Sequence, residues 1–406
     1  MKKELIITFS YYGIGGAQRR ALALADYFAK NGYTVHVLAV LGSDNTISTE
    51  NYYNVDKNVN IVLVPEFFEK NKNNKKVIES EKRIKKQLSL LKLLQSIFIP
   101  FKNIVKRINF NINGLRKSNE LRSFLIVHPN TTIINFGFNI YDRIYFSSKG
   151  LNQKIIYAET NASNKYRSER YFDLISKKIK KSDTLVFQTS EEKKEHNLEK
   201  SKKSYIIHNP IKPGLPQPFE GNRDKTIVNF CRLSRQKNLL LLIQAFEQFQ
   251  KVFSDYKLEI YADTADPNNR EYKEELVAYI SEHNLENSVR ILPPSSDIHN
   301  IILKSAMFVS SSDYEGISNS MIEAMAIGLP CVCTDCGGGG AREMITDGEN
   351  GLLVPVKDVE ALKNAMARMI TEDGLAEKCS KNAIKIRETH SIEKISEQWI
   401  EVINNV

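Results

Sequence analysis

The chain has 406 residues, 42% hydrophobic and 26% charged, with 57 Lys and Arg against 48 Asp and Glu for a net charge of +9. That length exceeds what one core usually supports, so two domains are expected, and the composition is that of a soluble globular protein. No apolar run approaches the roughly 20 residues a membrane-spanning helix needs, and MKKELIITFS lacks the apolar core and cleavage site of a secretory signal. Five cysteines and these absences together predict a cytoplasmic or peripheral protein.

Strand-like runs (LIITF, TVHVLAV, NIVLV, TIINF, KIIYA, TLVFQ, then TIVNF, KLEIYA, VRILP, MFVSS, PCVCT, GLLVP) alternate with amphipathic helical segments. That alternation predicts an α/β chain of parallel sheets built from β-α units. The first unit runs strand, Gly-rich turn, helix and strand, with Gly13, Gly15 and Gly16 at the turn. It is an incomplete dinucleotide fingerprint, because the third glycine would fall at Gln18. The turn reads either as a backbone loop facing a ligand phosphate or acceptor, through Gly15 and Gly16, or as glycine that only reverses the chain.

Residues 70–122 carry fifteen Lys and Arg against three Glu, a balance of +12 that exceeds the net charge of the whole chain. Ile84, Leu88, Leu91, Leu94 and Phe98 follow helical spacing, and after Pro100 so do Phe101, Ile104, Val105 and Ile108, interleaved with Lys102, Lys106 and Arg107. Apolar stripes flanked by lysine suit a helix lying on an anionic membrane surface. The other reading is a pair of core helices with a solvated basic face. Nucleic acid is disfavoured because the stripe lacks interleaved aromatics and a recognisable module.

Four prolines gather in HNPIKPGLPQP, which places a hinge around residues 208–218 and divides the chain into 1–208, 209–388 and a terminal helix over 389–406. In the second half, SSSDYEGISNSMIEAMAIGLP reads as a strand end, an exposed loop and a short helix, with Glu315 and Glu323 eight apart across the junction. Ligands of open α/β sheets sit beyond strand carboxyl ends, and a helix amino terminus favours phosphate. A diphosphate would rest on Gly316, Ile317, Ser318, Asn319 and Ser320, with Glu315 facing the attached group and Glu323 accepting from sugar hydroxyls. The alternative for Glu323 is a capping box with Ser320, three residues before it. Cys331, Cys333 and Cys336 match no zinc spacing and read as small core residues. The seven histidines form no H-E-x-x-H, and no nucleophile elbow is present.

The run EGISNSMIEAMAIGLPCVCTDCGGGGAREMITDGENGLLVPVKD resembles the donor-site signature of retaining glycosyltransferases of family 4, which have the GT-B architecture. VNFCRLSRQKNLLLLIQAF is similar to the family segment carrying an Arg and a Lys five apart, here Arg232 and Lys237, and IIHNPI to the segment entering the second domain. The match is dense from about residue 204 to 356 and sparse before it. The resemblance implies two Rossmann-like domains whose parallel sheets face a central cleft. It assigns the acceptor to the first domain and the donor to the second, with the terminal helix packing back on the first.

By that resemblance Arg232, Lys237 and Glu315 carry catalysis. Fixed cations neutralise the departing diphosphate, which suits a chain with no Asp-x-Asp metal cradle. A solvated basic loop is the other reading of Arg232 and Lys237. Cys231 stands where the family has Gly, IYADTADPNN replaces a glycine-bearing turn, and Thr160 stands where many members have His or Arg. Glu159, Thr160 and Asn161 fall on the acceptor side, although a lone Glu at a strand end is more often a surface residue.

The expectation is a retaining, metal-independent, bacterial hexosyltransferase without cofactor. It takes a nucleotide sugar, with UDP the commonest nucleotide among resembling enzymes, and a glycan or polyprenyl-linked acceptor. In the resembling enzymes the region corresponding to 70–122 borders the acceptor site, which places this chain at the inner face of the plasma membrane. The alternatives are a GT-B-fold epimerase or nucleotide-sugar hydrolase, and a non-catalytic membrane or nucleic-acid binding protein.

Overall fold

The computed structural model describes residues 3–10, 16–41, 55–98, 102–160, 172–195, 203–262 and 269–406. Contacts divide the chain into two units. One comprises Met1–Phe187, Lys193–Ile207 and Ser396–Val406, the other Gln188–Glu192 and His208–Ile395.

The first unit is built on β1 (Glu4–Phe9), β2 (Thr34–Ala39), β3 (Val59–Leu63), β4 (Thr132–Phe136), β5 (Lys154–Ala158), β6 (Thr184–Phe187) and β7 (Ser204–Ile206). They pair in the order β3-β2-β1-β4-β5-β6-β7, and all pairings are parallel. Helices cover such a sheet on both faces, which is why LIITF and TLVF bury every residue and not alternate ones. Six of these strands match sequence runs. The seventh, β7, is a three-residue edge strand of partly exposed residues, too short and too wet to leave a period.

Two long helices, α3 (Lys75–Ile97) and α4 (Lys102–Val127), follow α1 (Gly16–Lys30) and α2 (Val64–Asn71). Asn74 caps α3 by accepting from the Lys76 amide, a contact worth about 1 kcal/mol. Polar bonds pin α3 to α4: Gln95 donates to Asn109 at 2.9 Å, Asn119 to Glu81 at 2.7 Å, and Arg122 to the Ser80 hydroxyl at 2.9 Å.

The stripe offered above to a membrane faces the other way. Ile84, Leu88 and Leu91 pack with Phe110, Leu115 and Phe146, the last from α5 (Tyr141–Ser148). Ile108 is buried as well, while Phe101 lies outside the described residues. A different stripe of α3 is exposed, Leu90 at 58%, Leu93 at 58% and Ile97 at 60%, and of the second predicted set Ile104 on α4 is exposed as well, at 38%. The burial of the first stripe follows from α4 being the crossover helix between β3 and β4. Its Leu121, Phe124 and Leu125 pack with Ile6, Leu38 and Ile133 of the sheet, which leaves α3 to cover what remains of α4.

The second unit repeats the winding. Strands β8 (Asp224–Cys231), β9 (Lys257–Ala262), β10 (Val289–Leu292), β11 (Ser305–Ser310), β12 (Cys331–Thr334) and β13 (Leu352–Val354) run in the order β10-β9-β8-β11-β12-β13. Consecutive residues serve opposite faces, as strand geometry requires. Ile227 joins Leu242, Phe246 and Met366 on one side, and Val228 joins Phe308, Met321 and Ile322 on the other. Cys331, Cys333, Cys336 and Cys379 are buried, and all five cysteines are free thiols.

The last helix, Ile392–Asn404, buries Ile395, Trp399, Val402 and Ile403 at helical spacing. Trp399, the chain's single tryptophan, is fully buried with its ring 5.7 Å from that of Phe136 at the end of β4. Trp399→Ala therefore lowers the stability of the first unit by roughly 3–5 kcal/mol, read from urea unfolding followed by far-UV circular dichroism. A loss below about 1 kcal/mol contradicts this packing account.

Candidate functional site

In both units the order of winding reverses beside the first strand. In the second unit that switch point lies between β8 and β11, where doubly wound sheets open a crevice at their carboxyl ends. Arg232 follows β8 directly and is exposed. Lys237 closes a 3-10 turn over Arg235–Lys237 and is buried. Glu315 lies five residues beyond the end of β11.

The structure brings Lys237 and Glu315 into contact. Lys237 Nζ donates to Glu315 Oε2 at 2.9 Å, and Gln236 Nε2 donates to the same oxygen at 3.0 Å. Burial by itself pulls the Lys237 pKa down, but the Glu315 carboxylate outweighs it and leaves the amine above its ordinary value, charged at neutral pH. The Arg232 charge acts against it weakly. Burial pushes the Cys231 thiol up to about 11, so that side chain is neutral beside the cations.

Local geometry holds the lysine in place. Asn238 adopts a left-handed backbone, φ 44°, and its side chain accepts from the Leu241 amide to cap α8 (Leu239–Gln250). The Ser311 hydroxyl donates to the Lys237 and Asn238 carbonyls at 2.9 Å each, and the Asp313 amide donates to the Gln236 carbonyl at 2.9 Å. The loops after β8 and β11 are thus stitched together through backbone. Within them the hydroxyls of Ser234 and Ser312 are buried with no hydrogen-bond partner among the described residues.

The expected phosphate cradle is only partly available. Helix α11 (Asn319–Ala326) forms where the sequence predicts a helix. Gly316, Ile317 and Ser318 at its entry are buried, however, and the Ile317 amide donates to Gln188 Oε1 at 2.9 Å. The Ile317 amide therefore does not serve a phosphate in this arrangement. Asn319 and Ser320 are partly exposed, although Asn319 Oδ1 accepts from Asn209 Nδ2 at 3.1 Å. Ser318 is the N-cap, which places Glu323 five residues past it and excludes the capping box with Ser320. Glu323 is instead buried, with Oε2 2.8 Å from His299 Nε2.

Close approach explains the glycines here. A Cβ at Gly340 would lie 1.7 Å from the Gly316 carbonyl oxygen, and one at Gly316 would lie 2.7 Å from Glu192 and 2.8 Å from Gln188. Gly339 adopts φ 72° and faces Glu191. The Glu315 amide donates to the Gly337 carbonyl at 2.9 Å, and the Thr189 hydroxyl to that of Gly338 at 2.6 Å. Sequence reasoning missed Gln188, Thr189 and Glu192. They follow a first-unit strand, and the only local signal is the T-S-E-E start of α7 (Ser190–Glu195), where the Glu192 amide donates to the Thr189 hydroxyl.

Among the first-unit candidates, Glu159 is buried, contrary to a surface residue. Its carboxylate accepts from the Tyr157 hydroxyl at 2.7 Å and from the Thr160 amide at 2.8 Å. Arg20 donates to its carbonyl at 3.0 Å. Glu159 and Thr160 lie at the carboxyl end of β5, and Gly16 is the first residue of α1. Gly13, Gly15 and Asn161 lie outside the described residues, as does most of the turn after β9.

Residues 216–386 match the family described as Glycosyl transferases group 1. The chain is 26% identical over 259 residues to a poly(glycerol-phosphate) alpha-glucosyltransferase of Bacillus subtilis, covering 62% of this chain and 37% of that one. It is 36% identical over 165 residues to an N-acetylgalactosamine-N,N'-diacetylbacillosaminyl-diphospho-undecaprenol 4-alpha-N-acetylgalactosaminyltransferase of Campylobacter jejuni, covering 41% and 42%. The alignments thus span about two fifths of either relative's length. The fold is similar to that of Anabaena HepE in complex with UDP and glucose, with a TM-score of 0.74 at 15% identity over 99% of both chains. This chain therefore has the GT-B fold, and its residues 216–386 match the glycosyl transferases group 1 family.

Proposed function

We propose that the protein is a retaining glycosyltransferase that moves a sugar from a nucleotide diphosphate donor, most simply a UDP-sugar, to a glycan or polyprenyl-linked acceptor. The observation that carries this reading is the contact of Lys237 with Glu315 at the switch point, beside Arg232. A buried ammonium and an adjacent guanidinium meet the charge of a departing diphosphate without a metal ion. The unpartnered hydroxyls of Ser234 and Ser312 add polar groups for the same ligand to satisfy.

In this mechanism the sugar C1–O bond to the diphosphate breaks, and the acceptor oxygen bonds to C1 on the same face. The acceptor proton passes to the leaving phosphate, so retention requires no protein nucleophile. Glu315 holds Lys237 in position and presents its carboxylate to the transferred sugar. The ribose contact expected of Glu323 requires its carboxylate to release His299.

The acceptor side is read from the α3–α4 hairpin. Leu90, Leu93 and Ile97 form one exposed stripe at i, i+3 and i+7, and Lys86 and Lys92 on the same helix are exposed too. Apolar area beside lysine suits an anionic bilayer, each basic residue adding about 1 kcal/mol near the surface. This supports a peripheral place on the inner face of the plasma membrane, where a polyprenyl-linked acceptor is reached.

UDP-sugars are expected to raise the melting temperature. Arg232→Ala lowers kcat by about 10²–10³, and adding Mg2+ or Mn2+ to chelator-treated enzyme leaves turnover unchanged. Donor consumed fully without acceptor marks a hydrolase or epimerase instead, and turnover restored only by added metal overturns the fixed-cation mechanism. The hairpin is tested by co-sedimentation with phosphatidylglycerol vesicles. Binding falls with salt and is abolished by the triple change Leu90→Ser, Leu93→Ser and Ile97→Ser. Equal binding to phosphatidylcholine vesicles, or no effect of the triple change, rejects the membrane assignment.

A further inference from the structure

A cluster in the first unit takes no part in donor chemistry. Glu4 opens β1, His36 is the third residue of β2, and His128 follows α4 just before β4, so three residues distant in the chain meet at the amino-terminal edge of the sheet. That is the edge opposite the strand ends where ligands of such sheets bind. His36 Nε2 lies 2.8 Å and His128 Nδ1 2.7 Å from the same oxygen, Glu4 Oε1. The three ligand atoms lie within 4.8 Å of one another, and no other such trio of His, Cys, Asp or Glu occurs among the described residues.

We propose that Glu4, His36 and His128 bind one zinc-class divalent ion, with water in the fourth position. Two imidazoles and a carboxylate are a donor set zinc accepts, at about 2.0–2.2 Å from each ligand atom. In a tetrahedron of those bonds the ligand atoms stand about 3.3 Å apart, so the two His–Glu separations have only to open slightly. The rings are already oriented. Phe124 stacks on His128 with centroids 4.2 Å apart and meets His36 edge-on at 5.5 Å. The Asn60 side-chain amide lies 2.9 Å from His36 Nδ1.

Binding requires each ring in the tautomer that leaves the nitrogen facing Glu4 without a proton. The proton then sits on Nδ1 of His36 and on Nε2 of His128. With its amide turned, Asn60 accepts from His36 Nδ1–H, the outer-sphere partner that metal-bound histidines usually have. His36 is buried while Glu4 and His128 are part-exposed, so an ion has a path in. Once bound, it would clasp β1, β2 and the turn leading into β4.

The inference does not depend on the transferase reading and is tested without an activity assay. Tag-free protein is stripped with chelator, dialysed and titrated with Zn2+ by calorimetry and with Co2+ by visible absorption. The expected result is one ion per chain, a higher melting temperature with Zn2+, and the intense bands of four-coordinate Co2+. Affinity falls at least tenfold in His128→Gln and in Glu4→Gln. His390→Gln, which removes one of the two stacked imidazoles of the second unit, leaves it unchanged. Absence of a bound ion, or binding indifferent to His128→Gln and Glu4→Gln, overturns the site. If those variants do not fold, the wild-type cobalt spectrum decides, because weak six-coordinate bands also overturn it.

Discussion

A lysine ammonium kept charged in a buried place is the constraint around which the second unit's site is organised. Desolvation favours the neutral amine, and the Glu315 carboxylate reverses that preference. Removing one member of such a buried pair leaves an uncompensated charge that costs about 3 kcal/mol or more. The carboxylate is held in turn by Gln236 and the Glu315–Gly337 backbone bond, while the Ser311 hydroxyl holds the lysine's own loop through the Lys237 carbonyl. The pair sits at the switch point because that is where the loops after β8 and β11 are neighbours with helices departing to opposite faces.

The Gly-rich turn is a consequence of packing around that pair. Gly340 lies against the Gly316 carbonyl so closely that only hydrogen fits, and Gly316 is covered by Gln188 and Glu192. This closeness engages the Ile317 amide and sets limits on a ligand at the start of α11. In the proposed donor site a diphosphate therefore relies more on side-chain cations than on helix-end amides. A single charged group in a desolvated place outweighs one neutral amide in stabilising an anion.

The excess positive charge of residues 70–122 resides on a hairpin whose inner face is committed to the first core. Two apolar stripes on α3 have opposite fates: Ile84, Leu88 and Leu91 meet α4 and α5, and Leu90, Leu93 and Ile97 meet solvent. Helical periodicity reports both stripes equally, because it encodes a spacing and not a neighbour.

The sequence by itself determined the α/β class, twelve of the thirteen strands within a residue or two, and the candidates Arg232, Lys237 and Glu315. Buried parallel strands are written as contiguous apolar runs, and a loop chemistry confined to a few adjacent residues survives as a motif. Only the tertiary structure decided that Lys237 pairs with Glu315, that Glu323 turns to His299, that Glu159 is buried, and that Gln188 and Glu192 close over Gly316. It alone brought Glu4, His36 and His128 to one oxygen. Those pairings join positions that winding places side by side across tens to hundreds of residues, and no local period or spacing carries such information.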